Sequence, residues 1–342
     1  MNEIVYHEAY DPNLSYAGRF DPAVTYFVAH DGNYAPRDFD LAWEDIPVCS
    51  LVDSDNGQQG YYAGNYLNWL YYHATDLQRA AAPQVTRVQV MKEVLAEVLD
   101  MSSRIRFGLT VYQNDHFGNV VARCGTNRTS IRATSDGSPA NSWTPTGEAM
   151  ETIVEYFQDD LPSAPIQSPC IHNFLIVITD GYPTMDREVS AYKHDADGDG
   201  NDPGTCESRG APSDAATYHC TDHLDDVAWY LANEDLRPDL PDDQNVFTYV
   251  VGYHIDAQLL EDTALNGNGL YFTARNATDL RYSIEWALQD ILRRISAGSA
   301  VAVVSTERGD VDRLFRGKFM PVDWDGFLEC YELPYEDGDS PL

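Results

Sequence analysis

The chain has 342 residues and sets 22 Lys and Arg against 55 Asp and Glu, a net charge of −33. That balance excludes nucleic acid as a natural partner, because phosphate binding requires a basic footprint; it suits calcium, and an acidic excess is also the ordinary solvating surface of secreted proteins. Apolar residues at 43% and aromatic residues at 12% belong to a folded globular protein, and no run approaches the roughly 18 to 20 apolar residues of a membrane span.

Residues 1–83 are rich in Tyr, Asp, Asn, Gly and Pro and show little periodicity until GNYLNWLYYH (64–73), a short helical or aromatic packing segment. This zone reads as an irregular insertion without a core of its own. Neither a basic nor an apolar signal region opens it, so nothing in the sequence as it stands would export the chain. DSDNG (53–57) is a weak echo of a calcium loop and is read as an Asx-rich turn.

From residue 84 the pattern becomes regular. Val88, Met91, Leu95 and Val98 recur at helical spacing and lead into the apolar strand RIRFGLTVY (104–112). A short strand near Ser130 to Ala133 is expected next, then a helix after Thr144, a strand at 173–179, a helix from about Asp222 to Asn233 and a buried strand at 245–253. Leu280, Ile284, Leu288, Ile291 and Ile295 form the apolar face of a last long helix. Alternating strands and helices predict an α/β domain with a mostly parallel sheet covered on both faces. After Ser296 short β-prone runs separated by Gly and Asp predict an all-β region that residue 342 does not complete.

The six cysteines, Cys49, Cys124, Cys170, Cys206, Cys220 and Cys330, contain no C-x-x-C pair. Disulfides in an oxidising compartment fit them better than zinc or buried free thiols. Cys206 with Cys220 is the first expected pair and Cys124 with Cys170 the next, although spacing alone does not fix connectivity.

DADGDGNDPG (195–204) places Asp195, Asp197 and Asp199 at positions 1, 3 and 5, Gly200 at 6 and Asn201 at 7 of an EF-hand-type calcium loop. The register fails at position 12, which is Cys206; Glu207 or Asp202 are the available substitutes. Alternate carboxylates with a Gly turn wrap oxygens around a hard cation, whereas like charges so close repel one another without it.

No nucleophile elbow, H-E-x-x-H or P-loop occurs. His172, His194, His219 and His223 are irregularly spaced. His219 and His223, at i and i+4 with Cys220 and Asp222 between, imitate a metal cluster but read as a surface pair beside a disulfide.

The segment FLIVITDGYPTMD (174–186) runs an apolar strand into an Asp-Gly turn, which puts Asp180 at the strand's carboxyl tip, the side on which open α/β sheets bind ligands. TPTGEAMETIVEYF (144–157) offers Thr144 at a helix entrance. The pair resembles the metal-ion-dependent adhesion site of von Willebrand factor A domains, in which a Thr and an Asp join a D-x-S-x-S loop around a divalent metal. D-x-S-x-S does not occur here. That loop follows the first, central strand in such domains, so the chain is expected to start at or just after the Met that closes it, with the central strand and three ligands upstream.

YDPNLSYAGRFDP, GNYLNW, TPTGEAMETIVEYF, VITDGYPT, DADGDG, LDDVAWYLANEDLRPDLPDDQNVFTYVVGY and KFMPVDWDGFLECYEL occur in the order found in PilY-type adhesins associated with type IV pili, and together they cover nearly the whole chain. The resemblance implies a von Willebrand factor A-like doubly wound sheet lacking its first central strand. Residues 1–83 would be an insertion of that domain, 84–296 its core with a calcium-loop insertion at 182–221, and 297–342 the start of a β-propeller. It further implies an exported, pilus-associated, non-enzymatic adhesion or assembly module, with pilus subunits or minor pilins and host or abiotic surface ligands as partners. Calcium would sit on Asp195, Asp197, Asp199 and Asn201, and Mg2+ on an incomplete site at Thr144 and Asp180. The rival expectations are a structural matrix protein of the same fold without a pilus link and a metal-dependent hydrolase using the Asp180 crevice.

Overall fold

The computed structural model describes residues 5–22, 25–28, 60–82, 85–101, 105–113, 116–140, 143–161, 163–169, 171–200, 206, 219–297, 302–303, 313–320 and 325–332, the segments beyond 297 as backbone. These fall into two compact units, Met1–Arg281 and Tyr282–Leu342.

The first unit opens with the antiparallel pair β1 (Thr25–Val28) and β2 (Gly60–Ala63). The short helix α1 (Gly64–Asn68), a π-helical turn (Trp69–His73) and α2 (Asp76–Ala80) follow. The sequence gives this zone no core of its own, and here the structure differs. Tyr10, Phe20, Tyr62, Tyr66, Leu67, Trp69 and Leu70 pack into one buried cluster. Large rings supply enough apolar area to close a core around such short elements. Asn68 fixes the irregular backbone around it: its side chain accepts from the Phe20 N–H at 2.9 Å and donates to the Phe20 and Tyr16 carbonyls at 2.8 and 3.0 Å.

The α/β core begins at α3 (Arg87–Met101), whose Val90, Val94 and Val98 face inward. β3 (Leu109–Tyr112) is shorter than the expected strand, and it turns back antiparallel onto β4 (Gly118–Ala122). The strand expected at 130–133 lies instead inside a helix, α4 (Arg128–Gly137). The Asn127 side chain accepts from the Ser130 N–H at 2.9 Å and so caps that helix, which outweighs the local β character. Helix α5 (Thr146–Gln158) buries Met150, Ile153, Val154 and Phe157 on one face.

β5 (Asn173–Thr179), α6 (His223–Asn233), β6 (Val246–Tyr253), α7 (Gln258–Asn266) and β7 (Asn268–Ala274) complete the sheet. β5 pairs parallel with β6 from Asn173 opposite Val246 to Thr179 opposite Gly252, and β6 pairs parallel with β7. Each parallel pair needs a crossover helix, which α6 and α7 supply. The core joins Val154 and Phe157 of α5, Leu224 and Leu231 of α6, Val250 of β6 and Leu260 of α7. The α/β fold expected from the sequence is therefore present, with a hairpin, crossover helices and parallel strands. Among the described residues no strand pairs with the second edge of β3 or of β5.

Helix α8 (Ala277–Ala297) spans the division between the units. Beyond it, β8 (Ala302–Val303), β9 (Arg313–Met320) and β10 (Asp325–Glu332) form an antiparallel sheet of order β10-β9-β8, the all-β character expected there.

Candidate metal loop and sheet crest

Asp180 follows the last residue of β5, at the carboxyl edge of the sheet, here called the crest. Its carboxylate meets a guanidinium: Arg87 Nη1 stands 3.4 Å from Asp180 Oδ2. Arg87 is the first residue of α3, is 5% exposed, and lies 5.3 Å from the centre of the Tyr6 ring. Burial works to raise the Asp180 carboxyl, but cationic neighbours, Arg87 among them, outweigh it and hold the group below its ordinary range. Positive charge at the crest is thus already supplied by the protein.

Thr144 is held two residues before α5 by its backbone. Its N–H donates to Thr184 Oγ1 at 2.8 Å and its carbonyl accepts from the Thr184 N–H at 2.9 Å. The segment after β5 is thereby tied to the segment before α5. Asp186 adds to the tie, accepting from the Gly147 and Glu148 N–H groups at 3.0 and 2.9 Å. A remote carboxylate thus satisfies the first-turn donors of α5 in place of a local cap. Gly147 makes the approach possible, since a Cβ there would come within 2.8 Å of Asp186 Oδ2. Glu148, fully buried, accepts from Phe117 N–H at 2.9 Å and from Arg187 and Glu188 N–H at 2.8 Å each.

One turn further along α5, Glu151 pairs with Lys193 at 2.6 Å, both nearly buried. Lys193 ends the short 3-10 turn Ala191–Lys193, and the acidic loop starts two residues later. Carboxylate oxygens of Asp195, Asp197 and Asp199 all lie within 4.8 Å of one another. Gly198 and Gly200 take φ of +78° and +90°, which L side chains rarely adopt and which the tight wrap requires. The Gly200 N–H donates to Asp195 Oδ1 at 2.7 Å and the Asp199 N–H to Asp197 Oδ1 at 3.0 Å. The loop is docked from outside as well: Asn266 at the end of α7 donates to Asp197 Oδ2 at 2.7 Å, and the Asp197 N–H points to Asp226 Oδ1 of α6 at 3.4 Å. Three carboxylates converging on a Gly-rich turn fit a hard cation that binds oxygen. Asn201, the fourth expected ligand, lies outside the described residues.

The Cys206–Cys220 disulfide expected from spacing is present, with the two Cα atoms 5.5 Å apart. Cys124 is half-buried, while its expected partner Cys170 and also Cys49 lie outside the described residues, as does the side chain of Cys330. The histidines are rearranged relative to expectation. His223 is 2% exposed and stacks on His194 with ring centres 4.1 Å apart, so it does not form a surface pair with His219. A cavity of about 410 Å3 between the β3–β4 hairpin and α4 is lined by none of the expected site residues. Arg87, Glu148, Asp186 and Asn266 were not found from the sequence.

No protein-family profile matches the chain, and no curated protein sequence matches it. Solved structures similar to it include the vWF domain of the type V pili tip protein Mfa5 from Porphyromonas gingivalis, at 12% identity and TM-score 0.39 over 63% of this chain and 90% of that one. Proximal thread matrix protein 1 from the mussel byssus is similar at 16% identity and TM-score 0.38 over 64% of this chain, which spans 44% of that protein's length. An aerotolerance-related membrane protein from Bacteroides fragilis is similar at 12% identity and TM-score 0.37, over 60% and 90%. Among the described residues no helix is long and apolar enough to cross a membrane.

Proposed function

We propose that the chain is a calcium-binding adhesion or assembly module of an exported surface protein, of the PilY type associated with type IV pili, and that it works by recognition without turnover. The observation that carries this reading is the convergence of Asp195, Asp197 and Asp199 on a turn with two left-handed glycines, docked on α6 and α7. Bound calcium would neutralise the mutual repulsion of the three carboxylates and stiffen the rim of the α/β domain, with Asn201 as a further oxygen donor.

The crest is the recognition edge in this reading. Asp180 and Thr144 are its oxygen donors toward Mg2+, which competes with Arg87 for the Asp180 carboxylate. Residues 1–83 serve as an insertion of the domain, 84–296 as its core with the loop insertion at 182–221, and 297–342 as the start of a propeller. Pilin subunits or a surface ligand are the partners the resemblance supports.

Calorimetric titration of the chain with Ca2+ tests the central claim. Tight binding that is lost in the Asp195→Asn, Asp197→Asn double variant is the expected result, because two ligands lose their charge. Equal affinity in the double variant would overturn it.

A further inference from the structure

We propose that Asp186 is a pH-responsive latch: it ties the first turn of α5 to the segment that leaves the crest, holds most firmly when protonated, and is loosened when ionisation puts a second negative charge beside Glu148. The latch bridges positions 39 and 38 residues apart, through Gly147 and Glu148. It is fastened from the other side too, since the Asp186 N–H donates to the His219 carbonyl at 3.0 Å and Thr221 Oγ1 donates to the Asp186 carbonyl at 2.9 Å. Thr144, two residues before α5, shares this junction through Thr184.

The geometry makes Asp186 the member of the cluster that takes up a proton. Asp186 and Glu148 are both fully buried and are joined by the Glu148 N–H, so two negative charges in a dry site repel one another. Glu148 accepts three N–H bonds and Asp186 two, so the charge is better supported on Glu148. The groups facing Asp186 are Glu148 on α5, which disfavours its charge, His223 on α6, which favours it, and the Tyr112 phenol at the end of β3. Burial first, then Glu148, pushes the Asp186 carboxyl up to about 7, against the two N–H bonds and His223. Burial likewise lifts Tyr112 to about 12, so it stays neutral throughout. Ionised, Asp186 puts a second carboxylate into one dry site with Glu148, and opening the junction to water relieves that charge, so ionisation favours the open latch.

This inference is independent of the calcium reading, since Asp186 is not among the proposed calcium ligands. The wild-type chain provides two tests. The Asp186 carboxyl carbon, followed by NMR, should titrate with a midpoint within about one unit of 7. Hydrogen exchange at Gly147 and Glu148, corrected for intrinsic rate, should lose protection as pH rises from about 4 toward that midpoint, by as much as about tenfold per unit. Asp186→Asn should remove the pH dependence of that protection. A carboxyl midpoint below about 5, protection unchanged across the range, or the same pH dependence in Asp186→Asn would each overturn the proposal; if the variant fails to fold, the two wild-type measurements decide.

Discussion

The Arg87 guanidinium and the Asp180 carboxylate meet at 3.4 Å with side-chain exposures of 6% and 13%, joining the first residue of α3 to the crest end of β5. A charge pair this deep contributes little net stability when intact but is costly to break, because the remaining charge loses a buried counter-ion. The Asp180 carboxyl is held below its ordinary 3.8, so its contribution is present above that value and is lost as pH falls through the lower folded value.

Replacing Arg87 with Met should therefore destabilise the chain by roughly 3–5 kcal/mol at neutral pH. Asp180→Asn should be costly as well, since it takes the carboxylate away from a buried guanidinium that cannot deprotonate. Mg2+ should raise the melting temperature of Arg87→Met more than that of the wild type, because the ion no longer competes with a guanidinium. Thermal melts with and without Mg2+ test both points, and an equal response in the two chains would argue against Mg2+ at Asp180.

The 2.7 Å bond from Asn266 to Asp197 orients a calcium ligand from the end of α7. Outer partners of this kind are worth about 10- to 100-fold in metal affinity. Asn266→Ala should weaken Ca2+ binding by about that factor while leaving the fold intact, since the residue closes a helix and does not fill the core. Calorimetry with circular dichroism as a control checks it; unchanged affinity would mean that the loop sets its own geometry.

What was legible in the sequence follows the range of the forces involved. FLIVI is a continuous apolar run followed by Thr and stopped by Asp-Gly, and Met150, Ile153, Val154 and Phe157 keep helical period, so β5 and α5 could be placed from local pattern. β7 was missed because its burial is weak and irregular along the strand, so no clean alternation marks it. α4 was mistaken because one Asn127 cap and one buried Ile131 decide it, against a locally β-prone run. At the site, the acidic loop announces itself through spacing alone. Arg87 and Asp186 do not, since their partners lie 93 and 38 or 39 residues away and only the folded chain brings them together.

The Lys193–Glu151 pair anchors the stem of the acidic loop to α5 at 2.6 Å, with the Lys193 ammonium also 5.6 Å from the centre of the Tyr230 ring. Lys193→Met should cost roughly 3–5 kcal/mol by stranding the Glu151 carboxylate. The double change Lys193→Met, Glu151→Leu should recover much of that loss, because it removes both charges from the dry site. Urea unfolding of the two variants separates the cases; a double variant no more stable than the single one would show that the Ser190 N–H bonds to Glu151, at 3.1 and 3.2 Å, matter more than the charge pair.

Two buried groups should give the wild-type stability curve opposing slopes in one pH window. Burial and Glu148 raise Asp186 from 3.8 to about 7, so its contribution is present at low pH and is lost as pH rises through about 7. Burial, then Arg87, lowers His254 from 6.5 to about 3, so its contribution is present above 6.5 and is lost as pH falls. Among the described residues His254 Nε2 is buried without a hydrogen-bond partner, and burial disfavours an imidazolium there. Each effect is on the order of 4 kcal/mol at full extent, smaller for His254, which keeps some exposure. Between 3.8 and 6.5 the two oppose each other, so the wild type should vary little with pH. Asp186→Asn should leave melting temperature rising with pH across that window, and His254→Asn should leave it falling. Asn is chosen at 254 because φ is +61° there, a conformation Asn tolerates. Calorimetric scans at several pH values measure the slopes, and two variants that both keep the wild-type slope would show that neither group titrates as its surroundings require.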